Sequence, residues 1–232
     1  MAPNDSDCFG CLQLVNKTDD TLFDDSDKGL ACALASDVSR SITGMRILLN
    51  GKVEDVVAVL SVGIHGLDGA NSRNDIMQNV RILNRLISFV IEETEESDGH
   101  TNKYYGDTIM VYWVGKDAVV NACNAAISMM KDFPVFRENI KKTFKCNPGI
   151  GIGISCGESY VGHIGTSSFS DYTLFGNTVN ESAFLGTNAP KNKIYVTKEV
   201  LDASDMNGNS HKISPFLLKN QKLHCPVYSL EY

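Results

Sequence analysis

FSDYTLFGNTVNESAF, residues 169–184, is the stretch from which the rest of the chain is read. DYTLF (171–175) has the alternating apolar character of a short strand, Gly176-Asn177 is a turn that tolerates positive φ, and TVNESAF (178–184) opens a helix with Thr178 as its cap. Asn180, on the first turn of that helix, faces back toward whatever sits beyond the strand, which is where a polar side chain would orient a ligand. Taken alone, the same stretch also reads as an ordinary strand-turn-helix corner with a surface Asn.

Upstream, VEDVVAVLSVGIHGL (53–67) reads as a central strand, β-branched and apolar on both faces. DGANSRND is a loop with capping residues. DIMQNVRILNRLISFVIEET follows as an amphipathic helix with Ile76, Val80, Leu83, Ile87 and Val90 or Ile91 on one face. Residues 96–115 give two strands around a tight turn at Tyr105-Gly106-Asp107. A second helix, DAVVNACNAAISMMKDF, ends before Pro134, and a more polar helical piece runs to about Lys145. GIGISCG (151–157) and SYVGHIG (159–165) are read as two strands, KNKIYVT as another, KEVLDA as a short helix and PVYSLEY as the final strand. Strand, helix, hairpin, helix, strand is the order of an α+β fold with a ferredoxin-like βαββαβ core, a mainly antiparallel sheet flanked by helices.

The 232 residues suit one domain of ordinary size plus an appendage. A formal charge of -7 argues against nucleic acid or an anionic membrane surface as partner, because both call for a basic patch. The apolar run Val56–Leu60 is far short of a membrane span, and the N-terminus lacks a basic-then-apolar leader, so no direct membrane insertion is expected. The seven cysteines show no paired framework. Cys8 and Cys11 alone have C-x-x-C spacing, with no second pair to complete a zinc site, and reduced cytosolic thiols are expected. Residues 1–27 are polar and acidic and read as a flexible lead-in; apolar residues at Leu30, Leu34, Val38, Ile42, Met45 and Leu49 make one stripe of an amphipathic helix over 28–50. The remainder, 51–232, is the domain proper.

The run DYTLFGNTVN, with GIGISCGESYVGHIG just upstream and NKYYGDTIMVYW further back, resembles the catalytic domain of class III adenylyl and guanylyl cyclases in order, spacing and residue type, over roughly Val53 to Leu230. The resemblance implies ATP, or a related nucleoside triphosphate, as substrate, conversion to cyclic AMP and pyrophosphate, and a two-metal Mg or Mn site formed at a dimer interface. One protomer supplies two metal carboxylates; the other supplies base-reading residues, an Asn and an Arg. It also implies a cytoplasmic chain, or the cytosolic part of a larger membrane-attached protein.

Carried over residue by residue, Asp107 falls on the second metal carboxylate, while Gly63 falls where the first Asp belongs. Asp68 lies beyond the strand, where it would not replace that Asp. Phosphates in the family lie over the loop that here is His65-Gly66-Leu67-Asp68-Gly69, so Gly66 and Leu67 are candidate substrate-binding residues. Lys103 and Thr173 fall on the base-reading positions in the adenine-type combination, and Asn180 matches the ribose-orienting Asn. The Arg expected four residues later is Phe184, and the phosphate-contacting Lys near the last strand is Lys219 or Lys222. In a homodimer Gly63 and Phe184 fall in the same composite pocket; a heterodimer with a complementary cyclase domain loses only one of them. Two readings stay open: a cyclase-type domain that needs such a partner, and a cyclase-homology domain without turnover that serves dimerisation, regulation or nucleotide sensing.

Overall fold

The computed structural model describes residues 24, 25, 27–35, 51–67, 73–165, 170–206, 208, 210–213 and 226–232. The chain divides into two compact units, 1–51 with 162–172, and 52–161 with 173–232. In the first, residues 27–35 are helical, with Leu30 and Leu34 exposed, and the His163 ring meets Tyr172 edge-on at 5.1 Å. The expected helix over 28–50 coincides with the observed one as far as residue 35; the remainder of it, and the acidic lead-in up to residue 23, lie outside the described residues.

The strands among the described residues are β1 (Lys52–His65), β2 (His100–Tyr105), β3 (Thr108–Val114), β4 (Gly149–Gly165), β5 (Ser170–Phe175), β6 (Lys193–Thr197), β7 (Ser210–Lys212) and β8 (Val227–Leu230), all in the second unit except 162–165 of β4 and 170–172 of β5. Four helices accompany them: α1 (Arg73–Glu95), α2 (Ala118–Phe144), α3 (Asn177–Asn188) and α4 (Lys198–Ser204). The strand order is β2-β3-β1-β4-β6-β8-β7, with β5 paired to β4. β1 lies antiparallel to both β3 and β4, and β2 antiparallel to β3, which is the arrangement a βαββαβ core requires; β6 then adds parallel to β4.

Strand alternation gives the sheet two different faces. Ala58, Leu60, Val62 and Ile64 of β1 and Ile150, Ile152 and Ile154 of β4 enter the main core with α1 and α2, around Trp113, Leu86 and Phe133. The opposite face of β4 is Gly151, Gly153, Ser155 and Gly157, and that of β1 continues from Val57 and Val59 to Ser61 and Gly63. Onto this small-residue face sits α3. Thr178, Ser182, Gly186 and Ala189, spaced three to four residues apart, form the stripe that meets it. Three hydrogen bonds hold the seat: Ser61 Oγ with Ser182 Oγ (2.9 Å), Ser155 Oγ to the Thr178 carbonyl (2.8 Å) and His65 Nε2 with the Ala189 carbonyl (2.9 Å).

Several local expectations are corrected. α3 starts at Asn177 with Gly176 at its N-cap; Thr178 is inside the helix and buried against the sheet, so its side chain caps nothing. α2 runs unbroken through Pro134, because Phe133 and Ile140 are buried on either side of it and Phe136 stacks on Phe89 at 4.6 Å, packing that outweighs the lost backbone bond. The two strands read on either side of Gly157 are one, and a bulge of β1 between Glu54 and Val57 absorbs the irregularity. On α1 the buried apolar residues are Ile82, Leu86, Phe89 and Val90, whereas Ile76 and Val80 are exposed. Of the expected face, Val90 is buried and Leu83 and Ile87 pack against the main core, so the face holds in the C-terminal part of the helix and fails in its first turns. β7 was not anticipated at all.

Candidate nucleotide site

β2 should alternate its side chains between faces, so that only one of Asn102 and Lys103 would point toward α3. A register shift against β3 between Thr101 and Lys103 breaks the alternation, and both residues line one cavity. Thr173, within β5, and Asn180 and Phe184, on α3, line it too. The cavity has a volume of about 680 Å³ and is completed mainly by Tyr105, Met110, Thr187 and Asn188. Thus three of the residues expected to read a nucleotide, contributed by β2, β5 and α3, share one cavity with Phe184, the position where the resemblance implies an Arg.

Its chemistry is an apolar floor with a few convergent polar groups, the usual make-up of a small-molecule site. Lys103 brings a donor-only ammonium and Asn180 an amide that both donates and accepts. Asn102, which the sequence did not single out, donates through Nδ2 to Thr173 Oγ1 (3.5 Å) and to Met110 Sδ (3.4 Å). Its Oδ1 is buried with no hydrogen-bond partner among the described residues. Burial pushes the Tyr105 phenol above its ordinary range, so it stays a neutral hydroxyl. Phe184 leans on the buried cluster of Leu185, Ala189, Tyr195, Ile213 and Val227, and offers no donor to an anion.

The metal-side positions lie at the far end of β1. Gly63 pairs with Thr108 on β3 and Gly151 on β4, and the Ile64 amide donates to the Asp107 carbonyl (2.8 Å), so Asp107 stands next to the place of the missing Asp. Asp107 is exposed, and no group of three or more metal-ligating side chains occurs among the described residues. A Cβ built on Gly63 would stand 2.9 Å from the Gly186 carbonyl carbon and closer still to its oxygen. The residues present therefore do not fit a divalent cation held by this chain alone.

Gly66 is exposed and Leu67 half-buried, and both of their carbonyls are engaged within the chain. The Gly66 carbonyl accepts from the Cys146 thiol (3.5 Å), the Leu67 carbonyl accepts from Asn79 Nδ2 (2.7 Å), and the Leu67 side chain packs on the main core. Gly66 has φ +85, and a Cβ there would stand 3.1 Å from the Lys191 ammonium nitrogen, a cation no sequence motif singles out. Asp68, Gly69, Lys219 and Lys222 lie outside the described residues, as do Cys8 and Cys11. Burial pushes the Cys123 thiol up to about 11 and Cys156 to about 12, which makes both poor nucleophiles and poor metal ligands.

No helix among the described residues is long and apolar enough to cross a membrane. Among curated proteins, the chain is 26% identical over 135 residues to an uncharacterized protein of Mycobacterium tuberculosis, covering 58% of this chain and 23% of that protein. It is 30% identical over 135 residues to the cytidylate cyclase of Escherichia coli, covering 53% and 30% respectively. The chain thus spans less than a third of the length of these relatives. Among solved structures, the adenylyl cyclase CyaB of P. aeruginosa superposes with a TM-score of 0.67 at 19% identity, over 79% of this chain and 96% of that one. The adenylate and guanylate cyclase catalytic domain model matches residues 49–230, which takes in β1 to β8, the cavity and the Gly63 seam alike, and the chain belongs to that family.

Proposed function

We propose that this domain is the base- and ribose-reading half of a cyclase-type site for a nucleoside triphosphate, ATP in the first instance, and that the isolated chain does not turn the nucleotide over. The observation that carries this reading is the single cavity shared by Lys103, Thr173 and Asn180. Lys103 donates to a ring nitrogen, the Thr173 hydroxyl meets the exocyclic amine beside it, and Asn180 orients the ribose. Cyclases of this family use divalent metal ions, which lower the cost of forming the attacking alkoxide and hold the leaving phosphates. Here that work falls to another domain, because Gly63 supplies no carboxylate. Phe184 cannot stabilise charge on the reacting phosphorus, and losing one such donor typically costs about 10²- to 10³-fold in rate.

In a symmetric dimer each pocket would combine Gly63 of one copy with Phe184 of the other, and both deficits would coincide. A partner domain with both carboxylates leaves Phe184 as the only deficit. Nucleotide sensing without any turnover is the second reading, favoured by the coincidence of Gly63 and Phe184 in one chain.

The experiment is a titration of the chain with non-hydrolysable analogues of ATP, GTP and CTP, the last because one relative is named for cytidylate. Saturable binding with ATP preferred over GTP supports the adenine-type assignment of Lys103 and Thr173. Preference for CTP or GTP would reassign the base, and no binding of any of the three would overturn the nucleotide reading.

A further inference from the structure

Gly63 reads in sequence as a lost ligand; in three dimensions it is a contact. Around it, atoms that side chains normally keep apart are in close approach. A Cβ on Gly186 would stand 2.5 Å from the Ser61 carbonyl oxygen, and one on Gly153 would stand 2.6 Å from the Leu185 carbonyl carbon. A Cβ on Gly63 would stand 3.4 Å from the Thr187 Cα, in addition to its collision with the Gly186 carbonyl. These obstacles are main-chain atoms, which cannot rotate away as a flexible side chain can. The helix is also fixed in register by the Ser61–Ser182, Ser155–Thr178 and His65–Ala189 bonds, so it cannot slide to make room.

We propose that Gly63 is a positioning residue for the cavity: the missing side chain lets α3 seat directly on β1 and β4. That seating fixes Asn180, Phe184, Thr187 and Asn188 around the cavity and fills with main chain the place a first-strand carboxylate needs. The two halves of the family's site are thereby coupled inside one protomer. A carboxylate restored at position 63 moves the helix that carries the nucleotide-reading residues. This rests on the nucleotide reading only for the identity of the ligand; the coupling rests on the packing.

The test compares Gly63→Ala and Gly63→Asp with Leu86→Ala, which opens the main core on the opposite face of the sheet and touches no residue of the seam. Each folded variant is measured for thermal midpoint, for the side-chain amide NMR signals of Asn180 and Asn188, and for affinity toward an ATP analogue; Gly63→Asp is also titrated with Mn²⁺ alone. Gly63→Ala is expected to lower the midpoint by roughly 5–10 °C, to shift both amide signals and to weaken the analogue about tenfold. Leu86→Ala is expected to lower the midpoint without moving those signals, and Gly63→Asp to bind no Mn²⁺. If Gly63→Ala does not fold, Ser182→Ala, which removes one bond of the seat and adds no volume, must shift the same signals. Unmoved amide signals in the seam variants, or Mn²⁺ binding by a Gly63→Asp protein as stable as the wild type, would overturn the proposal. If the wild type binds no nucleotide, the functional reading fails, while the amide signals and midpoints still decide the coupling.

Discussion

Lys103 and Asn102 show why a site can be half legible from its residues. Lys103 is identified by its distance from the Gly106-Asp107 turn, a local relation that sequence preserves. Asn102 enters the same cavity only because β2 bulges against β3, and nothing in the types of residues 101–103 announces a bulge. Asp107 is placed at the hairpin tip by the same local relation, whereas its position beside Gly63 comes from the long-range pairing of β1 with β3. The two readers of the ligand should differ in strength. A hydrogen bond from a charged donor contributes about 1.5–3 kcal/mol and a neutral one about 0.5–1.5 kcal/mol. Lys103→Ala is therefore expected to weaken an ATP analogue about tenfold to a hundredfold and Asn180→Ala about two- to tenfold, as read by calorimetric titration with folding checked by circular dichroism. Equal, negligible effects would place the ligand elsewhere.

At the scale of elements, periodicity located each helix and long strand but not their joints. The Gly-Ile alternation of residues 149–154 is the most informative local pattern in the chain, with isoleucines in the core, Gly151 and Gly153 against the main chain of α3 and its C-cap, and Gly149 against the Lys191 side chain. Pro134 misled because a proline's local penalty is visible in sequence, whereas the aromatic packing that overrides it is assembled from α1 and α2 together. Phe133 lies 5.9 Å from Phe89 and 6.0 Å from Phe136, ring centre to ring centre, and is almost wholly buried. Truncating such a ring leaves a cavity worth about 3–5 kcal/mol. Phe133→Ala is expected to lose that much in urea unfolding, and to lose helicity in the segment after Pro134 first, visible as faster amide exchange over residues 135–144. A loss under 1 kcal/mol would mean that α2 is held across the proline by something other than this cluster.

For the whole molecule, the order of elements is legible apart from β7 and the continuity of β4, because a βαββαβ core follows chain order, and the family resemblance extends it to β8. What the sequence could not convey is that its two departures from the family pattern differ in kind. Phe184 replaces a donor with a ring inside an otherwise intact cavity, while Gly63 is built into the packing of α3 on the sheet. Under the proposed function, a chain with both departures recognises a nucleotide without processing it. The most direct measurement is cyclic nucleotide formation by the purified chain with Mn²⁺ and ATP, GTP or CTP, quantified by mass spectrometry on the same sample used for analogue titration. The account predicts saturable binding with no cyclic product above a protein-free control. Metal-dependent product from the homogeneous chain would contradict it.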